Sequence, residues 1–179
     1  MARLPYLNRD DLPAEYSDYF ESLRTPEGQM MNIHRMMAHR PSLLQARVNL
    51  SRTINRKAPT LPARYRELAQ LTVGRVTAGT YEFHHHISRG QKAGLTPEHI
   101  MALPVWERHP IYTSEERAVM RYAEEMTRDI RVIDATFDAL RTFLSPAQIV
   151  ELTLVVAHYN STVHFLEALQ VGLHEDGGE

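Results

Sequence analysis

The sequence predicts an all-α protein of about seven or eight helices. Three observations carry that expectation. Apolar residues recur at helical rather than alternating spacing, turn residues cut the chain into helix-length pieces, and capping side chains stand at the head of several pieces. Strand signals are scarce. The run from Val150 to Val156 is β-branched, but it lies inside a longer, capped apolar segment and reads as a buried helix.

Taken in order, residues 1–11 read as an extended arm, with Pro5 and Asp10-Asp11 breaking any pattern. A first helix is expected from about Pro13 to Leu23, ended by the turn Thr25-Pro26-Glu27-Gly28. A second, rich in Met and His, covers about Gln29 to His39. Pro41 opens a third, because its missing N–H is not needed in a first turn. Leu43, Leu44, Val48 and Ile54 give that helix an apolar stripe. Pro59 and Pro62 precede a fourth, Arg64 to Thr77, with Leu68, Leu71, Val73 and Val76 inside and Glu67 on its surface.

Ala78-Gly79-Thr80 is a break, and Thr80 caps a helix from Tyr81 to Ala93. Gly94 then stands where a left-handed C-terminal residue belongs. Thr96 caps a short helix with Pro97 in its first turn. A looser connection holds Trp106, His109 and Pro110. Thr113 and Glu116 have capping-box spacing for a helix running to about Arg128. Asp134 caps a helix from Ala135 to Phe143, and the box Ser145-Pro146-Ala147-Gln148 launches the last one, to about Val171. Residues 173–179 read as a disordered tail. One domain spanning 1–179 is expected, since this length buries a single core. A faint pseudo-repeat relates the segment around Glu67 to that around Glu151.

The chain's 43% hydrophobic and 23% charged residues are ordinary for a soluble protein. A net charge of -2 points to neither nucleic acid nor an anionic membrane as partner. No apolar stretch is long enough to span a bilayer, and the N-terminal residues lack the apolar run of a signal peptide, so the cytoplasm is expected. There are no cysteines. Disulfides, thiolate metal sites, thiol nucleophiles and dithiol redox cycles are therefore excluded.

The sharpest local feature is Tyr81-Glu82-Phe83-His84-His85-His86. Successive helical residues point about 100° apart, so three adjacent histidines cannot share one site. Glu82 and His86 are one turn apart and face the same way, with His85 close to that face and His84 elsewhere. A carboxylate beside an imidazole raises its pKa and fixes its tautomer, which is general acid–base equipment. The same spacing also suits a surface pair worth a few tenths of a kcal/mol. A third reading makes Glu82 and His86 metal ligands, joined through folding by His158 or His164.

Several residues around this cluster resemble a known family. Arg66-Glu67-Leu68, the following turn, Tyr81-Glu82-Phe83, His86 and the closing Gly94-Leu95-Thr96-Pro97-Glu98 are similar to the core motif of the carboxymuconolactone decarboxylase/alkylhydroperoxidase D-like (AhpD-like) family. Redox members carry a Glu twelve residues before the first Cys of Cys-x-x-Cys-x-x-x-His. Counted here, Glu67 matches that Glu, Gly79 and Glu82 stand at the two Cys positions, and His86 matches the His. His39-Arg40-Pro41, Asp134-Ala135-Thr136-Phe137, Glu151-Leu152-Thr153 and Tyr159-Asn160 extend the resemblance, which covers about residues 30 to 171. It implies an AhpD-like helical bundle that assembles into homo-trimers or hexamers.

Without sulfur, a peroxidase or disulfide cycle has nothing to run on. The branch left is the cofactor-free decarboxylases, acting on a small carboxylated ring or lactone. The resemblance implies Glu82 and His86 as the acid–base pair, with Glu67 orienting. Arg75 is the candidate clamp for a substrate carboxylate, by bidentate contact. Tyr81, His85, Trp106, Tyr159, Asn160 and His164 are the remaining candidate substrate contacts. Each has a plainer reading: Trp106 as a core anchor, Tyr159 and Asn160 as structural hydrogen-bonding groups, Arg75 as a surface or subunit contact. His34 and His39 lie among methionines that suit flexible packing. The run from Arg121 to Arg131 reads as a solvated helix face. No metal and no cofactor are expected in the leading reading. The two rivals are a metal-dependent enzyme and a non-catalytic oligomeric binder.

Overall fold

The computed structural model describes residues 2–56, 59–78 and 80–172, with the side chains of 56 and 80–85 outside that description. Among the described residues there are nine helices and no strand. They are α1 (Ala14–Glu21), α2 (Asn32–Met37), α3 (Pro41–Arg56), α4 (Ala63–Val76), α5 (Thr80–Lys92), α6 (Pro97–Ala102), α7 (Ser114–Arg128), α8 (Asp134–Arg141) and α9 (Pro146–Leu169). Each falls on one of the helical segments marked out in the sequence, although α2 and α6 have only six residues each. Short 3-10 turns occur at Arg9–Asp11 and Leu103–Val105. The expected tail, 173–179, lies outside the described residues.

The helix starts follow their local chemistry. Thr113 Oγ1 accepts from the Glu116 N–H while Glu116 accepts from the Thr113 N–H. Ser145 and Gln148 make the same reciprocal pair at the head of α9. At α6 the third residue is His99, and its ring takes the role Glu plays elsewhere. Gly94 has φ +92°, the left-handed conformation expected after α5. Asp134 differs from expectation. It is the first residue of α8 rather than its cap, where its carboxylate still suits the positive helix end.

The chain forms two compact units, residues 1–53 with 164–179, and residues 54–163. In the first, Leu12, Phe20, Leu23, Ala38, Leu44 and Val48 make the core. The arm expected to be merely extended is tied down: the Arg3 N–H donates to Leu169 O at 3.0 Å, and Tyr6 Oη accepts from the Gly172 N–H at 3.0 Å. His39 Nε2 lies 2.9 Å from Pro5 O.

In the second unit α4 packs on α5 and α7. Residues 66–74 of α4 are all buried, so this helix has no solvent face. Around it Val119, Ala123, Leu140, Leu152, Val155 and Val156 fill one cluster, and Leu68, Leu71, Leu103, Trp106 and Met120 another. Each such Leu contributes about 2 kcal/mol by leaving water. Glu67, expected on a helix surface, is therefore buried. The run from Val150 to Val156 is helical as expected. Yet it is not buried throughout, because Val150 and Leu154 are 59% and 49% exposed.

His34, in the first unit, is buried with its Nδ1 lacking a partner. Burial, aided by the positive charges of Arg47 and Arg52, pushes its pKa down to about 4. The unfolded chain takes up this proton near pH 6.5, before the folded chain does, so stability is full above 6.5 and falls as pH drops toward 4. The loss is on the order of 3 kcal/mol. Urea unfolding across this range is expected to show that decline in wild type and a shallower one in His34→Leu. Parallel declines would remove His34 as the cause.

Candidate functional site

A carboxylate on a helix without a solvent face needs a donor from within the protein. Glu67 finds it on α5. His86 Nδ1 lies 2.8 Å from Glu67 Oε2, with the His86 side chain 1% exposed and that of Glu67 8%. An ionised carboxylate only accepts, so Nδ1 carries the proton and donates. Nε2 is then the lone-pair atom of the neutral ring, or the second N–H of the imidazolium. Tyr159, buried on α9, stands edge-on to the imidazole with ring centres 4.8 Å apart, and on its other side meets His158 at 5.5 Å. The Glu67 hydrogen bond and the Tyr159 edge both bear on the direction of the imidazole. That suits a proton donor or acceptor whose direction is fixed before substrate arrives.

The other expected site residues divide. Tyr81, Glu82 and His85 lie on the backbone of α5, but their side chains fall outside the described residues. Arg75 and Trp106 come together on Glu124. Arg75 Nη2 donates to Glu124 Oε2, and the indole N–H of Trp106 reaches the same oxygen at 3.1 Å. Arg75 is thus engaged by a carboxylate of the protein itself. Asn160 donates from Nδ2 to Thr127 Oγ1 at 3.0 Å and to Val156 O at 3.1 Å, a structural role. His164 is exposed. Of the three expected residues near the end of α9, only Tyr159 is shown beside His86. Among the described residues no three His, Asp or Glu side chains gather as a metal ion would need.

Sequence reasoning passed over a second polar cluster. Arg64 donates to Glu116 and to Gly94 O, and its Nη2 lies 2.6 Å from His99 Nε2. Tyr112 Oη donates to His99 O. Burial, then the Arg64 charge, lower the His99 pKa. The capping spacing of Thr96 and Glu116 was the only local signal of this cluster. It joins the starts of α4, α6 and α7 and reads as a structural clamp.

Comparison with known proteins fits this geometry. Residues 41–125 match the model of the carboxymuconolactone decarboxylase family. The described fold matches a peroxidase-related protein with the AhpD core from Ralstonia eutropha JMP134, TM-score 0.82 at 17% identity, covering 98% of this chain and 93% of that one. The family match thus covers a little under half of the chain, and the fold is AhpD-like. A peroxidase-related protein from Silicibacter sp. TM1040 gives TM-score 0.82 at 20% identity, over 98% of this chain and 93% of that one. A variant of the debrominase Bmp8, in complex with 2,3,4-tribromopyrrole, gives TM-score 0.81 at 17% identity over 98% and 95%. At such identities the likeness is one of fold. In sequence, the uncharacterized protein YdfG of Bacillus subtilis (strain 168) is 29% identical over 98 residues, 54% of this chain and 67% of that one. The sequence has no cysteine, so no thiol stands at this site.

Removing one partner of a buried charged pair strands the other. Glu67→Ala is expected to lower unfolding free energy by about 3 kcal/mol in urea titration. Nitrogen NMR of the wild type should find His86 protonated on Nδ1. A ring protonated on Nε2 alone would contradict the assigned hydrogen bond.

Proposed function

We propose that this protein is a cofactor-free lyase that decarboxylates a small carboxylated ring or lactone by acid–base chemistry. The observation that carries the reading is the buried Glu67–His86 pair in a chain without cysteine. In such a reaction the bond between the carboxyl carbon and its neighbour breaks, and CO2 leaves. The electron pair stays as an enolate conjugated to the substrate carbonyl, and a proton returns to carbon. His86 supplies that proton from Nε2, while Glu67 on Nδ1 holds the ring and stabilises its charged form. Glu82, one turn before His86, is the proposed partner in the acid–base pair. Tyr81, His85 and Tyr159 are the proposed substrate contacts. Isomerisation through the same enolate would use the same parts.

A screen of carboxylated lactones and β-keto acids, following CO2 release, tests the reading. Turnover by wild type is expected to fall at least about 100-fold in His86→Ala. Activity unaffected by the substitution would refute the role of His86. Glu67→Gln should retain the fold better than Glu67→Ala while still lowering kcat.

The family resemblance also supports a cytoplasmic homo-trimer or hexamer. No described helix is long and apolar enough to cross a membrane. Val150 and Leu154 lie one turn apart on α9 and are largely exposed, an apolar surface that burial against another copy would cover. Light scattering behind size exclusion is expected to give three or six chains per particle, and Leu154→Glu to lower that number. A monomeric wild type at micromolar concentration would overturn this part.

A further inference from the structure

We infer that a hollow beside Trp106, in the second unit, is a binding site for a small planar monocarboxylate of aromatic type. The inference does not rest on the lyase reading. The hollow has a volume of 420 Å³, within the roughly 300–1,000 Å³ usual for small-molecule sites. Its walls carry three arginines, Arg75, Arg108 and Arg128, against two carboxylates, Glu107 and Glu124, which leaves one positive charge.

The pairing shows which guanidinium no carboxylate already holds. Glu124 takes Arg128 Nη1 on Oε1 at 2.6 Å, and on Oε2 it takes Arg75 and the Trp106 indole. Glu107 is paired with Arg121 at 3.0 Å. Arg108 is exposed and has no carboxylate partner among the described residues. Arg75 also keeps a buried Nε without a partner. One unpaired guanidinium fits one carboxylate by two parallel hydrogen bonds.

The rest of the wall is apolar: Pro104, Val105 and the indole of Trp106. Its N–H bond to Glu124 and the Arg121 guanidinium 5.0 Å from its ring hold that indole in place. Pro104 and the exposed Val105, backed by the buried indole, set an apolar wall beside Arg108, which favours a ring bearing a carboxylate over a bare inorganic anion.

Trp106 is the only tryptophan, so its fluorescence reports on this hollow alone. Titration of the full chain with benzoate at low ionic strength is expected to give a saturable change. Benzamide, the uncharged analogue, and inorganic phosphate should give none. Arg108→Gln, on an exposed side chain, should weaken benzoate binding at least about tenfold. No saturable response to benzoate overturns the proposal. So does an equal response to benzamide, a response to phosphate alone, or unchanged affinity in Arg108→Gln. Calorimetry of the wild type with benzoate and benzamide decides the charge requirement independently of any variant.

Discussion

The hydrogen bond between Glu67 and His86 is the constraint around which the second unit is arranged. It follows from burying α4 on every side. A helix with no solvent face leaves each polar side chain to find a partner within the protein, and α4 has several. Thr72 turns its hydroxyl back to Leu68 O, and Gln70 reaches Asn55 with its amide. Glu67 meets a titratable group nineteen residues on, across the α4–α5 interface. A carboxylate in that position costs more than any neutral side chain, and packing alone would favour Leu or Met there. What it gains there is the hydrogen bond to the imidazole, which fixes the tautomer and aims the ring.

The elements of the fold were legible in the sequence where their signals are local. Thr113 with Glu116, Ser145 with Gln148, and Gly94 after α5 each work within four residues, and each stands where its spacing predicts. Pairings across helices were not legible in the same way. Periodicity ties His86 to Glu82, its neighbour one turn back. The contact that the described side chains show runs to Glu67, and only the family resemblance had put Glu67 near the site. Arg75 illustrates the same limit. Its type and place suggested a free clamp, but Glu124, forty-nine residues away, already occupies it. Burial misled in two directions. Glu67 has the composition of a surface residue and is enclosed, whereas Val150 and Leu154 have the composition of core and are exposed. In both cases the decision lies with which helices surround the residue, and a single helix's pattern does not contain it.

The absence of cysteine narrows the chemistry without making it weaker. Thiol chemistry needs a leaving electron pair on sulfur and a partner to take it, and no side chain here replaces that function. An imidazole of fixed orientation needs neither. In the proposed reading it moves one proton and returns to its starting state, and the same buried pair would serve any reaction whose difficult step is protonation or deprotonation next to a carbonyl.

The Trp106 hollow obeys a different rule from the Glu67–His86 pair. Around His86, burial forces each polar atom toward a partner inside the protein, and specificity comes from geometry. Around Trp106 the charges are partly solvated, and three donors converge on Glu124. That convergence uses up the carboxylate and fixes Arg75, Arg128 and the indole relative to one another. A guanidinium whose partner is already bound is a poor recogniser of a new anion, because the newcomer must displace a carboxylate that is covalently held nearby. The unpaired Arg108 faces no such competitor. Selectivity in this hollow therefore falls to the unpaired arginine, and the paired ones act as a frame that keeps the indole in position.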